Sequence, residues 1–206
     1  MNSLQIETFA VKLQRHPQPS EIHSCFCEFV GKSDGKSSES LGCSGIARDG
    51  AILVRPANER QITSSDKMQS RSIQIDLSKP ISISLRLCLG ANGGGKKRRE
   101  RDGQRTGLSW KQRTASGQTT IDKILEKLEV SAGIKPSSDD SAIVRNLTQE
   151  HAGIRIDRNA GTFFLNDCHE VIGSFEIINI EKFTAAIQRG IGKRRSYGFG
   201  LIEVIV

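Results

Sequence analysis

Apolar and polar residues alternate without a break from Ile81 through Ile83, Leu85 and Leu87 to Leu89, the cleanest strand signal in the chain. Ahead of it, residues 4–12 read as a strand. Pro17 and Pro19 then lead into a helix with Ile22, Phe26, Phe29 and Val30 on one face and Gly31 as its stop. A polar loop covers 32–40, and strands are read at 51–55 and at 71–77, where Ile73, Ile75 and Leu77 alternate. The stretch 56–70 is ambiguous and could form only a poor helix. The first third is read as β-α-β-β-(α)-β, with three of its four strands assigned to residues.

The second part repeats that order. After the strand at 81–89, a glycine-rich basic segment, 91–118, reads as a loop. Thr119 or Thr120 can cap a helix whose Ile121, Ile124, Leu125 and Leu128 share a face and which ends at Gly133. Polar residues 136–150 read as loop with a short helical piece. Strands follow at 153–157 and 171–179, with 162–165 between them. A helix at 181–189 carries Phe183, Ala186 and Ile187 and stops at Gly190, and a strand at 199–206 closes the unit. A β-α-β-β-α-β order read twice predicts an α+β protein of two tandem ferredoxin-like (RRM-like) domains, 1–78 and 79–206. The halves are not visibly similar in sequence, so the repetition is one of architecture.

Charge changes the picture more than composition does. The 206 residues carry a net charge of +7. Lys96, Lys97, Arg98, Arg99, Arg101, Arg105, Lys111 and Arg113, against Glu100 and Asp102, concentrate +6 in one segment. Arg189, Lys193, Arg194 and Arg195 add +4 in another, so the rest of the chain is net −3. Two basic foci on an otherwise acidic chain are the electrostatic footprint of a nucleic-acid partner.

The second focus is the stretch Gly-Ile-Gly-Lys-Arg-Arg-Ser-Tyr-Gly-Phe-Gly, 190–200. Its glycines allow sharp turns and exposed N–H groups. It is neither a P-loop, since Arg194 follows Gly192-Lys193, nor a dinucleotide fingerprint, since position 195 is arginine. Gly190, Gly192, Lys193, Arg194, Arg195, Ser196 and Tyr197 are the candidate contacts to a polyanion backbone here, beside the eight basic residues of 96–113. The plain alternative is a solvated turn.

The five cysteines at 25, 27, 43, 88 and 168 have no zinc-site spacing and read as reduced thiols. No metal or cofactor is expected. There is no leader-like N-terminus and no apolar run of membrane-spanning length, so a cytoplasmic protein without a membrane partner is expected. Of four histidines, His151 and His169 fall in predicted loops, His16 precedes the first helix, and His23 lies on it. An imidazole can exchange protons near neutral pH. Taken alone, His23 is more simply an ordinary boundary residue. With Ser20 as cap it would stand in the first helical turn. Tyr197 could stack on a base or pack beneath its loop, and Trp110 could serve as a stacking or buried ring.

Four segments together resemble the repeat-associated RNA-binding superfamily of CRISPR systems, and within it the CasE branch. They are Ile-His-Ser-Cys-Phe-Cys-Glu-Phe (22–29), Ala-Ile-Leu-Val-Arg-Pro (51–56), Leu-Arg-Leu-Cys-Leu-Gly-Ala-Asn with the basic run to Arg105-Thr-Gly-Leu, and Phe183 through Leu201. The resemblance implies a metal-independent endoribonuclease that cuts CRISPR precursor RNA at the base of a repeat stem-loop and retains the crRNA. It implies His23 as the catalytic histidine, and other CRISPR effector-complex subunits as partners. The chain departs from the family at Ser20, where a tyrosine is usual, and at Cys27, where a tryptophan is usual. A non-catalytic subunit that binds repeat RNA is the alternative.

Overall fold

A computed structural model describes residues 3–12, 19–30, 42–47, 50–57, 68–89, 120–147, 154–158, 161–165 and 168–205. The first strand, β1 (Ser3–Val11), turns Ile6, Thr8 and Ala10 to one side and Val11 to the other, all buried. Helix α1 (Pro19–Val30) buries Ile22, Phe26, Phe29 and Val30, as its periodicity predicts, against Val11 and against Ile52 and Val54 of β3 (Ile52–Pro56). Burying a side chain the size of Phe26 contributes about 1.5–3 kcal/mol. The helix starts at Pro19, a residue suited to a first turn because its missing N–H would have no partner there. Ser20 is therefore inside the helix rather than its cap, and His23 falls in the second turn.

Strand β2 (Gly42–Ile46) has no counterpart in the residues assigned from the sequence. Its Gly42-Cys-Ser-Gly run is buried throughout and so shows no alternation of apolar and polar positions. With β4 (Met68–Asp76) it completes an antiparallel sheet of order β2-β3-β1-β4. The stretch 56–70, read as ambiguous or a poor helix, lies mostly outside the described residues.

The second sheet is built around β5 (Ile81–Cys88), whose Ile81, Ile83, Leu85 and Leu87 are all buried. Helix α2 (Thr120–Ala132) ends at Gly133 as predicted and buries Ile124, Leu128 and Ala132. The reading of 136–150 as loop with a short helical piece is corrected in part: 137–141 are loop and Leu147 is helical, but a strand takes 142–146. The chain forms β6 (Ile134–Pro136) and β7 (Ala142–Asn146), both paired with β10 (Cys168–Ile177). Strand β7 escaped the pattern because Ile143 is 56% exposed and only two of its residues are large and apolar. Between them, β8 (Ile154–Arg158) and β9 (Gly161–Leu165) form a two-stranded sheet of their own.

Helix α3 (Ile180–Arg189) is capped by the Asn179 side chain, which accepts from the Lys182 N–H at 2.9 Å. The closing strand β11 (Ile202–Ile205) is shorter than the predicted 199–206, because Phe199–Leu201 belong to the preceding loop. The main order β11-β5-β10-β6 and the order of the first sheet both place the first strand of the unit between its third and fourth, as in a ferredoxin-like arrangement. The cores meet: Ile6 and Ile75 of the first sheet pack into the cluster formed by β5, α2 and α3. Among the described residues no helix is long and apolar enough to cross a membrane.

Candidate active site

The exposed edge of α1 meets the loop before β11. His23 is partly exposed, and its imidazole stacks on the ring of Tyr197, with centroids 4.1 Å apart and planes 8° from parallel. One helical turn on, Cys27 places its Sγ 3.7 Å from His23 Nε2 and 4.0 Å from Nδ1. These near-equal distances show that the sulfur rests against the ring without singling out one nitrogen. The other thiol on this helix, Cys25, is pushed up to about 12 by burial, with Glu28 adding to the effect.

Tyr197 is only 3% exposed and packs with Cys88, Leu147, Cys168 and Phe199. It sits at the end of a 3₁₀ turn, Arg195–Tyr197, entered through Arg194 in the left-handed conformation (φ 62°). Gly190, Gly192, Gly198 and Gly200 all have positive φ, so the glycine-rich stretch does turn sharply. Five of its N–H groups, however, are committed to partners within the protein. Gly190 donates to Ala186 O, Ile191 to Gly200 O, Tyr197 to Arg194 O, Gly198 to the Ser44 hydroxyl and Gly200 to Arg86 O. These groups stabilise the loop itself and are not presented to an anion.

The basic side chains divide accordingly. Lys193 and Arg189 are exposed and Arg194 partly so. Arg195 turns back and donates from Nη1 to the carbonyl of Arg189 at 2.6 Å, where a cation complements the C-terminal end of α3. Ser196 is fully buried. His169, read as a loop residue, is instead buried on β10. The candidates Lys96 to Arg113, Trp110, His16 and His151 lie outside the described residues. Among the described residues no group of three or more His, Cys, Asp or Glu is placed to hold a metal.

Residues 86–205, from the end of β5 through the rest of the second sheet and this loop, match the family model described as CRISPR associated protein. The chain belongs to that family. No curated protein matches it in sequence. In structure this CRISPR-associated protein is similar to the CRISPR endoribonuclease Cse3 bound to a 19-nucleotide RNA, at 16% identity and a TM-score of 0.55 over 100% of this chain and 99% of that one. It is similar to Cas6e from Escherichia coli K-12 at 11% identity and a TM-score of 0.53, covering 98% of each chain. A chain of a CRISPR RNA-guided surveillance complex matches at 13% identity and a TM-score of 0.50, over 98% of this chain and 100% of that one. At these identities the likeness establishes the fold.

The fold of this CRISPR-associated protein thus brings together His23 and Tyr197, from opposite ends of the sequence, with Lys193 and Arg194 on the same loop as the tyrosine. Two residues of the site were not singled out by sequence reasoning. Cys27 could have been found from its i, i+4 spacing to His23. Ser44, fully buried behind the loop, carried no local signal.

Proposed function

We propose that this protein is a metal-independent endoribonuclease that cleaves CRISPR precursor RNA at the base of a repeat stem-loop and keeps the crRNA. In this reading it is built of two ferredoxin-like domains, 1–78 and 79–206, and works in the cytoplasm with other effector-complex subunits. The observation that carries the reading is the stacked His23–Tyr197 pair, with exposed Lys193 and partly exposed Arg194 on the loop of the tyrosine. Family membership and the Cse3-like fold support it.

The chemistry is an in-line attack of a ribose 2′-OH on the adjacent phosphorus. The new O2′–P bond forms as the P–O5′ bond breaks, leaving a 2′,3′-cyclic phosphate and a 5′-hydroxyl. A proton must leave O2′ and another must reach O5′. His23 is assigned one of these transfers, a role worth about 10²–10⁴ in rate. Lys193 and Arg194 offset the charge that builds on the phosphoryl oxygens. The basic run Lys96 to Arg113 is assigned to the phosphates of the stem.

The test is cleavage of a hairpin repeat RNA in EDTA by wild type and by His23→Ala, with a 2′-deoxy substitution at the cut as control. Cutting by wild type, lost in both the variant and the deoxy substrate, is the expected result. Tight binding without cutting by wild type would make the protein an RNA-holding subunit instead.

A further inference from the structure

One hydroxyl holds the turn that carries Tyr197. Ser44 lies on β2, paired with Val54 across the β2–β3 ladder, and is fully buried. Its Oγ donates to the carbonyl of Arg195 at 2.9 Å and accepts from the N–H of Gly198 at 3.1 Å. Those two backbone groups bracket Ser196 and Tyr197, so a single side chain from the first sheet ties down both ends of the turn. No side chain caps the start of this turn. Around it the fit is close: a Cβ on Gly198 would come within 2.8 Å of Ile22 Cδ1, and one on Gly45 within 3.1 Å of Leu201 Cβ. Ile22 immediately precedes His23 on α1. The hydroxyl thus holds the backbone on either side of Tyr197 next to the helix that presents the histidine.

We propose that Ser44 is a positioning residue for the reaction, acting through Tyr197 to set the stack on His23. The proposal rests on the reading of His23 as the proton-transfer residue. Tyr197 is packed among Cys88, Leu147, Cys168 and Phe199, and Ser44 holds the backbone on either side of it. Two hydrogen bonds of defined direction supply that hold. A displacement of about 1 Å at a reacting group can cost on the order of 100-fold in rate.

The experiment compares wild type, Ser44→Ala, Tyr197→Leu and the double variant. It measures single-turnover cleavage, RNA affinity and the NMR shifts of the His23 ring protons, which lie upfield when stacked on Tyr197. Ser44→Ala is expected to lower the cleavage rate about 10- to 100-fold with affinity unchanged, and to move the His23 protons downfield. In the Tyr197→Leu background the same substitution is expected to have no further effect on rate. If Ser44→Ala does not fold, Ser44→Cys takes its place: the thiol keeps the volume but bonds weakly. Unchanged His23 shifts, or additive losses in the double variant, would overturn the proposal while leaving the endoribonuclease reading intact. A wild type that does not cleave would overturn that reading, and the proton shifts would still decide whether Ser44 sets the stack.

Discussion

The guanidinium of Arg55, on β3 of the first sheet, donates from Nη1 to the carbonyl of Ile187 at 2.7 Å. Ile187 is in the last turn of α3, where backbone carbonyls run out of helical partners. Arg55 also donates to Ile202 O at 3.2 Å and, through Nε and Nη2, to the Thr8 hydroxyl at 3.1 and 2.9 Å. One buried side chain therefore ties β1 and β3 to α3 and β11. Burial lowers its pKa below the usual arginine range, while Cys43 and Glu203 act in the opposite sense.

Replacing Arg55 with methionine keeps most of the stem but leaves two carbonyls and a hydroxyl without this donor. At about 1–3 kcal/mol for each buried group left unsatisfied, the expected loss is about 3 kcal/mol. Urea unfolding measures it. A midpoint that does not move would mean the tie contributes no net stability.

Gly200→Ala is expected to dismantle the glycine-rich loop. Gly200 has φ 89°, and an added Cβ would stand 2.1 Å from the carbonyl oxygen of Ile191. That oxygen is backbone and cannot swing away. The conformation alone costs about 1–3 kcal/mol for a residue with a side chain, before the clash. The variant should lose thermal stability and, with Tyr197 displaced, cleavage. An alanine variant that melts and cuts like wild type would show that the loop tolerates another path.

The cations of this loop should separate by role. Lys193→Gln with Arg194→Gln is expected to weaken RNA binding and to lower the slope of log affinity against log salt by about 1–2. Neutralising Lys96 to Arg99 is expected to flatten the same plot. Arg195→Gln, whose arginine caps α3, should lower the melting temperature with little change in slope. A salt series on the variants checks all three, and slopes equal to wild type would remove these residues from the phosphate contacts.

Asp76 closes the turn between β4 and β5. Its carboxylate accepts from the hydroxyl and N–H of Ser78 and pairs with Lys79 at 3.1 Å. These contacts, the Ser78 hydroxyl first, hold its pKa down at about 2 against an ordinary 3.8. A depressed carboxylate stabilises the fold above the unfolded value, and that contribution is lost as pH falls toward 2. The difference in urea midpoint between wild type and Asp76→Asn should therefore be present at pH 6 and close between pH 4 and pH 2. A gap that stays constant across that range would contradict the assignment.

What local pattern can determine, it determined here. The alternation from Ile81 to Leu89, the helical face of Ile22, Phe26, Phe29 and Val30, and the stops at Gly133 and Gly190 depend on neighbours within one or two turns. Those elements lie close to their predicted places. His23 on its helix and the basic, glycine-rich stretch before the last strand were likewise visible as residue types at definite positions. The tertiary structure decided the rest. Strand β2 is buried on both sides and has no polar face to mark it, and β7 leaves Ile143 outside, so neither shows the usual signal. Periodicity says which side of an element is buried and not what covers it. The stack of Tyr197 on His23, the bond of the Gly200 N–H to Arg86 O, and the bonds of Ser44 and Arg55 all join distant parts of the chain. They exist only because two sheets and α3 pack together, which places groups remote in sequence within hydrogen-bonding distance.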